Sequence, residues 1–212
     1  MAANNSSSAA AEVPNSSNDD PSIAVTAAID FSTAVLRPAT TSDEDINAIV
    51  ALGRKVFFET FAHTVAPEAM DQYLEDSYSY KAIKADLTNP ARQCILAEAR
   101  NEHGQNVLLG YSFLATGTTE DCLKDYPNVI ELLRIYTHPA THGKGIAKQL
   151  AEASYELGIN EGYDHIFLGV YPQNYRAIKF YEKQGFKKVG THVFMVGDHE
   201  DIDDVMVRSL KA

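Results

Sequence analysis

A strand pattern that leads through a glycine-rich turn into an amphipathic helix, between residues 132 and 157, constrains the fold more than any other feature. Residues 132–137 have the apolar, β-favouring composition of a buried strand, and Gly143 and Gly145 follow in the turn. Apolar residues then recur at helical spacing, at Ile146, Leu150, Ala153 and Leu157. A strand that runs directly into such a helix requires a sheet with helices packed on it, so the segment predicts an α/β or α+β domain.

The remaining sequence from about Ser32 alternates strand and helix patterns in the same way. Capping signals predict a first helix whose N-cap is Thr41 or Ser42 and a second helix that begins at Pro67, and a third helix is predicted to end before Pro90. Apolar runs predict strands at residues 33–37, 93–97, 107–114, 129–137 and 166–170. We therefore predict a three-layered fold of the α/β (α+β) class, in which helices flank a central mixed sheet and an extra helical segment lies near residues 43–88.

The first 31 residues differ in composition from the rest of the chain. They are rich in Ser, Ala and Asn, and the first Lys or Arg is Arg37. Such a segment buries too little apolar surface to offset the entropy of ordering it, so we predict a disordered low-complexity tail at residues 1–31 and a single domain at residues 32–212. The tail has neither the apolar core of a secretory signal nor the Arg content of a mitochondrial presequence. The expected compartment is the cytoplasm, with the nucleus left open.

Charge and cysteine content exclude several classes of protein. The 212 residues include 18 Lys+Arg and 29 Asp+Glu, which give a formal net charge of −11. Because nucleic-acid-binding proteins are basic overall or carry a basic stripe, we expect no nucleic-acid partner. The sequence has no apolar stretch of membrane-spanning length, so we expect no membrane partner either. Cys94 and Cys122 are too few for a disulfide framework, and no Cys/His spacing suggests a metal site.

The turn at residues 141–147 is suited to bind a phosphate group. Gly143 and Gly145 let a ligand approach the backbone, the first amides of the following helix lack partners within it, and the helix dipole favours an anion. By itself the turn leaves open the alternative that both glycines serve only the backbone geometry. Two nucleotide motifs are excluded, because Lys148 stands where a Rossmann fingerprint needs a third glycine and Gly145 stands where a P-loop needs Ser or Thr.

A second block of residues follows the next predicted strand at a matching distance. It consists of Asn174, Ala177, Tyr181, Gly185 and Phe186. Together with residues 142–147, this block resembles the GNAT superfamily of acyl-CoA N-acyltransferases, whose phosphate loop Q/R-x-x-G-x-G/A is followed by N-x-x-A-x-x-x-Y-x-x-x-G-F. The resemblance implies the GNAT fold with its mostly antiparallel sheet, and acetyl-CoA as the co-substrate. The sequence departs from the family at His142, which stands where the family has Gln or Arg.

The resemblance also implies which residues hold acetyl-CoA. Backbone N–H groups in the strand before the turn would hold the pantetheine arm and polarise the acetyl carbonyl, and these belong to Ile135, Tyr136 and Thr137. The pyrophosphate would lie against the phosphate loop, which consists of His142, Gly143, Lys144, Gly145, Ile146 and Ala147. Asn174 would contact pantetheine, although an Asn at a helix start is also a common N-cap.

Two residues are predicted to transfer protons. The resemblance implies that Tyr181 is the general acid toward the CoA sulfur and that Glu131 is a general base that acts on the amine through water. The sequence leaves a structural alternative for each, since Tyr181 could be a core aromatic beside Phe180 and Glu131 a solvated acid at a strand end. His63 and His192 fit structural histidines, as does His165.

Further segments resemble one branch of the family, the PaiA-like spermidine/spermine N-acetyltransferases. They are residues 58–64, 131–136, 168–170, 192–194 and 196–206. The resemblance implies a small-molecule primary amine as the acceptor, with a polyamine as a candidate, and direct transfer through a ternary complex. The acidic balance of the chain also favours a cationic acceptor. The acids between Asp198 and Asp204 fit a solvated hairpin loop.

The sequence leaves two other functions open. One is an enzyme that acetylates peptide N-termini or protein lysines, against which the helices before residue 90 argue. The other is a non-catalytic acyl-CoA sensor, against which the intact Tyr181 argues. A homodimer is also left open, because dimers are common in the family.

Overall fold

The computed structural model describes residues 29–196 and 199–211. Residues 1–28 of the predicted tail therefore lie outside the described residues. The last residues of the tail contact the domain, since Ile29 forms an isolated β-bridge with Asn101 and Phe31 packs against the core. The packed part of the chain thus begins at least three residues before the predicted boundary at residue 32.

In the described residues, seven strands form one sheet in the order β1-β2-β3-β4-β5-β7-β6. The strands are β1 Val35–Pro38, β2 Arg92–Arg100, β3 Asn106–Ala115, β4 Val129–Thr137, β5 His165–Val170, β6 Lys187–Val196 and β7 His199–Ser209. Every neighbouring pair is antiparallel except β4 and β5, which are parallel. The predicted mixed, mostly antiparallel sheet is confirmed.

Helices cover both faces of this sheet. They are α1 Asp43–Phe61, α2 Pro67–Tyr78, α3 Tyr80–Thr88, α4 Ile146–Asn160 and α5 Tyr175–Lys183. Leu150 of α4 and Tyr181 of α5 lie in one hydrophobic core with Leu168 of β5. Ile49 of α1 lies in a second core, together with Phe113 of β3 and with residues of α2 and α3. The predicted α/β (α+β) class is therefore confirmed, and its extra helical segment near residues 43–88 forms the layer on the second face.

Local sequence signals explain where the first two helices begin. The side chain of Ser42 accepts a hydrogen bond from the amide of Asp45, which satisfies one of the first unpaired N–H groups of α1. Pro67 occupies the first turn of α2, where a missing N–H costs nothing. The carboxylate of Asp45 also pairs with Arg37 of β1, which in turn pairs with Glu98 of β2. This network fixes α1 against the edge of the sheet.

The parallel pair β4 and β5 separates part-way along its length. The strands are paired from Val129 to Glu131, where Glu131 lies opposite Phe167. β4 continues to Thr137 and β5 to Val170, but among the described residues no further pairing joins them. The sheet therefore opens between the carboxyl ends of two parallel strands, which is where open α/β sheets commonly bind ligands.

Candidate active site

A cavity of about 810 Å³ occupies the opening between β4 and β5. It brings together most of the predicted cofactor residues, namely Ile135, Tyr136, Thr137, His142, Gly143, Gly145, Ile146, Ala147, Asn174 and Tyr181. Two predicted site residues do not line it: Glu131 lies deeper along β4, and the Lys144 ammonium lies 5.8 Å from the centre of the Phe31 ring. The predicted donor site is thus one continuous cavity, here called the donor cavity.

The phosphate loop has the backbone that the glycine pattern predicts. Gly143 and Gly145 have φ angles of 77° and 86°, a left-handed conformation that favours glycine. A Cβ at Gly143 would meet no atom within 4 Å, so conformation rather than space requires glycine there. Gly145 is the N-cap of α4 and supplies no side-chain acceptor to the first amides of that helix. These amides open on the donor cavity, where they suit the pyrophosphate of acetyl-CoA.

Arg176 of α5 lies beside the histidine that departs from the family pattern. Its Nη1 is 2.8 Å from Nδ1 of His142, and both residues line the donor cavity. Burial lowers the pKa of His142, and the positive charge of Arg176 lowers that pKa further. The imidazole is therefore neutral near pH 7 and accepts a hydrogen bond from Arg176. Arg176, which is not among the predicted site residues, thus places a cation beside His142 on the wall of the donor cavity.

Asn174 and Tyr181 combine structural contacts with a place on the donor cavity. The side chain of Asn174 accepts a hydrogen bond from the amide of Ala177 and so caps α5. The Tyr181 ring is 7% exposed and packs between Phe180 and Phe186, at centroid distances of 5.2 and 5.5 Å. Burial raises the pKa of Tyr181 well above its ordinary value. The phenol stays protonated at neutral pH and can act only as a proton donor there.

Glu131 belongs to a second group of polar residues on the face that α1–α3 cover. Its neighbours Ile130 and Leu132 face the α4 side, and strand alternation directs Glu131 to the other side. Burial raises its pKa, whereas a hydrogen bond to Thr118 and the positive charge of a protonated His192 lower it. Gly169 of β5 is exposed nearby, and its α-carbon lies against the His192 ring. We call this region the acceptor cleft.

Two carboxylates flank His192 in the acceptor cleft. Its Nδ1 lies 2.9 Å from Oε1 of Glu120, and its Nε2 lies 4.0 Å from Oδ2 of Asp203. Strand alternation turns the next residue, Asp204, to the opposite face, where it pairs with Lys188 at 2.5 Å. The predicted acidic hairpin is therefore divided between two faces as far as its side chains are described. The grouping of Glu120 with His192 could not be found from sequence spacing, because 72 positions separate them.

Comparison with known proteins identifies the family. Residues 58–186 match the acetyltransferase (GNAT) family. The chain belongs to the GNAT acetyltransferases. An uncharacterised N-acetyltransferase of Mycobacterium tuberculosis is 31% identical over 166 residues, which cover 78% of this chain and 98% of that protein. A spermidine N(1)-acetyltransferase of Thermoplasma acidophilum is 26% identical over 149 residues, which cover 69% of this chain and 84% of that protein.

Solved structures support the GNAT fold independently. The crystal structure of the PaiA N-acetyltransferase from Thermoplasma acidophilum, in complex with coenzyme A, superposes with a TM-score of 0.60. It is 22% identical, and the match covers 83% of this chain and 98% of that one. The family match, together with the mycobacterial relative, identifies this GNAT protein as an acyl-CoA N-acyltransferase with acetyl-CoA as its co-substrate. The donor cavity fits that ligand, because a glycine turn, unpaired helix amides and Arg176 all face into it.

The described part of the chain offers neither a cluster of metal ligands nor a membrane-spanning helix. Residues 29–196 and 199–211 contain no group of three or more His, Cys, Asp or Glu side chains suited to holding a metal ion. None of the helices described is both long and apolar enough to cross a bilayer.

Proposed function

We propose that the protein acetylates a primary amine of a small molecule, with spermidine or spermine as the favoured acceptor, by direct transfer in a ternary complex. The observation that carries the proposal is the acceptor cleft, a group of carboxylates next to the donor cavity. Tyr136 connects the two regions: it lines the donor cavity, and the charge of Asp203 adds to burial in raising the pKa of Tyr136 to about 12. A carboxylate-lined cleft attracts an amine that carries further positive charges.

The residues of the donor cavity would hold the thioester and protonate the leaving group. Acetyl-CoA supplies an activated acetyl group. Backbone N–H groups between Ile135 and Thr137 polarise its carbonyl, while the phosphate loop and Arg176 hold its pyrophosphate. Asn174, whose side chain caps α5, contacts the pantetheine arm. Tyr181, kept protonated by burial, gives its proton to the sulfur as the carbon–sulfur bond breaks.

The residues of the acceptor cleft would bind the ammonium group and remove its proton. Glu131 accepts this proton through water, because burial raises its pKa and so makes it a stronger base than an exposed carboxylate. Asp203 adds negative charge for a second ammonium group of a polyamine. Helices α1–α3 cover this face of the sheet, which favours a small acceptor over a protein chain.

The relatives support the same acceptor class. The Thermoplasma relative is named a spermidine N(1)-acetyltransferase, and the resemblance of residues 192–194 and 196–206 to PaiA-like enzymes includes the segment that contributes His192 and Asp203. The net charge of −11 acts in the same direction, because it raises the local concentration of cations.

The test is an acetyl-CoA thiol-release assay with spermine, spermidine, a monoamine of similar length and a lysine-containing peptide. We expect kcat/KM for the polyamines to exceed that for the monoamine by about tenfold or more, as one well-placed ion pair would give. Equal efficiency toward all amines would contradict the polyamine acceptor. Release with the peptide alone would favour a protein substrate, and no release with any amine would contradict the small-molecule acetyltransferase.

A matched pair of variants tests the acceptor cleft itself. Asp203→Asn is expected to raise KM for spermine roughly tenfold more than KM for the monoamine, because it removes a charge that faces the cleft. Asp204→Asn removes the same charge one residue later, on the other face of β7 and beside Lys188, and should leave the ratio of the two KM values unchanged. An equal effect of both variants would mean that only the overall charge matters.

A further inference from the structure

Three side chains from separate parts of the chain form a polar path beside the acceptor cleft. His192 on β6 is flanked by Glu120, in the loop after β3, and by Asp203 on β7, at the two distances given above. We call these three residues the carboxylate–imidazole chain. The imidazole therefore lies between two carboxylates, with one near each of its nitrogens.

The carboxylate–imidazole chain leads from the interior of the protein to its surface. The exposed fraction of the side chain is 14% at Asp203, 20% at His192 and 31% at Glu120. At the inner end, Asp203 acts electrostatically on Tyr73 of α2 as well as on Tyr136 of β4. The inner end therefore lies on the side of Tyr136, which lines the donor cavity, and the outer end is the more exposed to solvent.

The two ring nitrogens of His192 differ in their hydrogen bonding. A carboxylate can only accept a hydrogen bond, so Nδ1 carries a hydrogen and donates it to Glu120. Nε2 then keeps its lone pair, and it is buried without a hydrogen-bond partner among the residues that the structure describes. Gly169 leaves room for the ring here, because a Cβ at that position would lie 3.1 Å from Nε2.

Acetylation of an ammonium group needs such a proton acceptor in every turnover. When the N–C bond forms and the C–S bond breaks, two protons leave the nitrogen. One of these two protons restores Tyr181, which has given its own proton to the thiolate. The other proton must leave the site. A buried Glu131 that has taken this second proton has to release it before the next acceptor binds.

We propose that His192 takes this proton from Glu131 through water and passes it to solvent past Glu120, so that the carboxylate–imidazole chain is the proton exit of the acceptor cleft. The proposal rests on the proposed function, since it assumes that the acceptor amine binds beside Glu131. The titratable groups around the imidazole are Glu120, Glu131 of β4 and Asp203, while Tyr73 of α2 faces Asp203. His192 acts through Glu131 and is a positioning residue.

The experiment compares His192→Gln, Glu120→Gln and a control, His165→Gln, in the acetylation of spermidine at saturating acetyl-CoA. His165 is a histidine on β5, which β7 separates from β6. Its Nδ1 lies 3.0 Å from the carbonyl oxygen of Pro127, so it is not part of the carboxylate–imidazole chain. In dilute buffer we expect kcat of His192→Gln to fall about 10²-fold, the lower part of the range for a positioned proton-transfer group. Added imidazole should restore much of this loss, because a soluble base can then accept the proton. The control should behave like the wild type.

Glu120→Gln keeps a hydrogen-bonding side chain at Nδ1 but removes its charge. We expect a smaller, buffer-dependent loss of kcat, because the carboxylate that would receive the proton from the imidazole is missing while the imidazole itself remains. Calorimetric binding of acetyl-CoA should stay unchanged in all three variants, which shows that the donor cavity is intact.

Two results would overturn the proton exit. One is a loss in His192→Gln that is equal at every pH and insensitive to imidazole, which would mean that the residue only supports the β6–β7 hairpin. The other is wild-type kinetics in Glu120→Gln, whose half-exposed site does not endanger the fold. Failure of the wild-type enzyme to acetylate any amine would instead contradict the proposed function, so the two failures are distinguishable.

Discussion

At the scale of single residues, Tyr181 shows how one side chain can serve both the core and the chemistry. Its ring packs between two phenylalanines, and its position on α5 also makes it part of the wall of the donor cavity. Packing fixes the ring, and burial keeps the phenol protonated. The structural and the catalytic interpretation of Tyr181 are therefore compatible, and only a substitution that keeps the ring can separate them.

We predict that Tyr181→Phe lowers the single-turnover rate about 10²- to 10⁴-fold, because the ring packing remains while the proton donor is lost. Calorimetric affinity for acetyl-CoA should change little. Tyr155→Phe is the matched control, since Tyr155 also packs against Phe186 but does not line the donor cavity. A wild-type rate in Tyr181→Phe would show that the thiolate leaves without this proton.

At the scale of structural elements, the phosphate loop depends on the junction between β4 and α4. Gly145 ends the turn and begins the helix in a left-handed conformation, so its φ angle directs the first helix amides toward the donor cavity. Only glycine adopts this conformation without cost, although Asn adopts it more readily than a β-branched residue.

We predict that Gly145→Val weakens acetyl-CoA binding by at least about tenfold, because a residue strained by about 1–3 kcal/mol at this φ distorts the anion site. Gly145→Asn should bind much closer to the wild type. Isothermal titration calorimetry measures both, and circular dichroism checks that α4 persists. Equal affinities in all three proteins would contradict a phosphate site at this helix N-terminus.

A second element-scale feature is the ion pair that joins β1 to α1. The Asp45 carboxylate accepts hydrogen bonds from Arg37 and from the amide and hydroxyl of Thr40, at 2.6 to 2.9 Å. The hydrogen bonds from Arg37 are the main cause that lowers the pKa of Asp45 to about 2. Because the pKa is lower in the folded state, the pair stabilises the fold above the ordinary Asp pKa of about 4, and this stabilisation is lost as the pH falls toward 2.

We predict that Asp45→Asn lowers the free energy of unfolding by about 2 kcal/mol near pH 7. The difference from the wild type should shrink as the pH is lowered to about 3, because the Asp45 carboxyl group is then mostly protonated in the unfolded state while it is still largely ionised in the folded state. Urea unfolding at the two pH values measures this change. Glu44→Gln, an exposed acid in the same helix turn, should alter stability by less than about 0.5 kcal/mol at both. A constant difference across this range would contradict the ion-pair explanation.

At the scale of the whole molecule, the charged side chains are unevenly distributed. Four acids precede Phe31 and no base does, so the rest of the chain carries a net charge of −7. Basic side chains lie where the phosphates of acetyl-CoA are expected, as with Arg176, whereas the acceptor cleft gathers carboxylates. The two substrates would thus meet opposite local fields in one protein.

We predict that KM for spermine rises severalfold when the salt concentration increases from about 50 to about 300 mM, because the Debye length falls to less than about 8 Å and the attraction between the carboxylates and the ammonium groups is screened. KM for a monoamine should change by less than about twofold over the same range. Steady-state kinetics at constant pH measures both. Parallel salt dependence of the two amines would show that the distal ammonium groups are not bound electrostatically.

Much of the fold could be predicted from the sequence, because the signals are local. Ser42 and Pro67 mark helix starts through the hydrogen bonds of their own turn, and the glycines at 143 and 145 mark a backbone conformation that few other residues adopt. The residues that line the donor cavity could be predicted as a set because the two sequence blocks resemble the GNAT pattern, which implies their roles. For these features the sequence by itself was sufficient.

The acceptor side depended on tertiary structure. Strand pairing and helix packing between distant positions decide which carboxylates meet His192 and on which faces Asp203 and Asp204 lie. They also decide that Arg176 lies beside His142. The separation of β4 from β5 beyond Glu131 likewise cannot be predicted from the sequence of either strand. Local patterns determine which element a residue joins, but contacts between elements determine what its side chain faces, and the chemistry of the acceptor depends on the second.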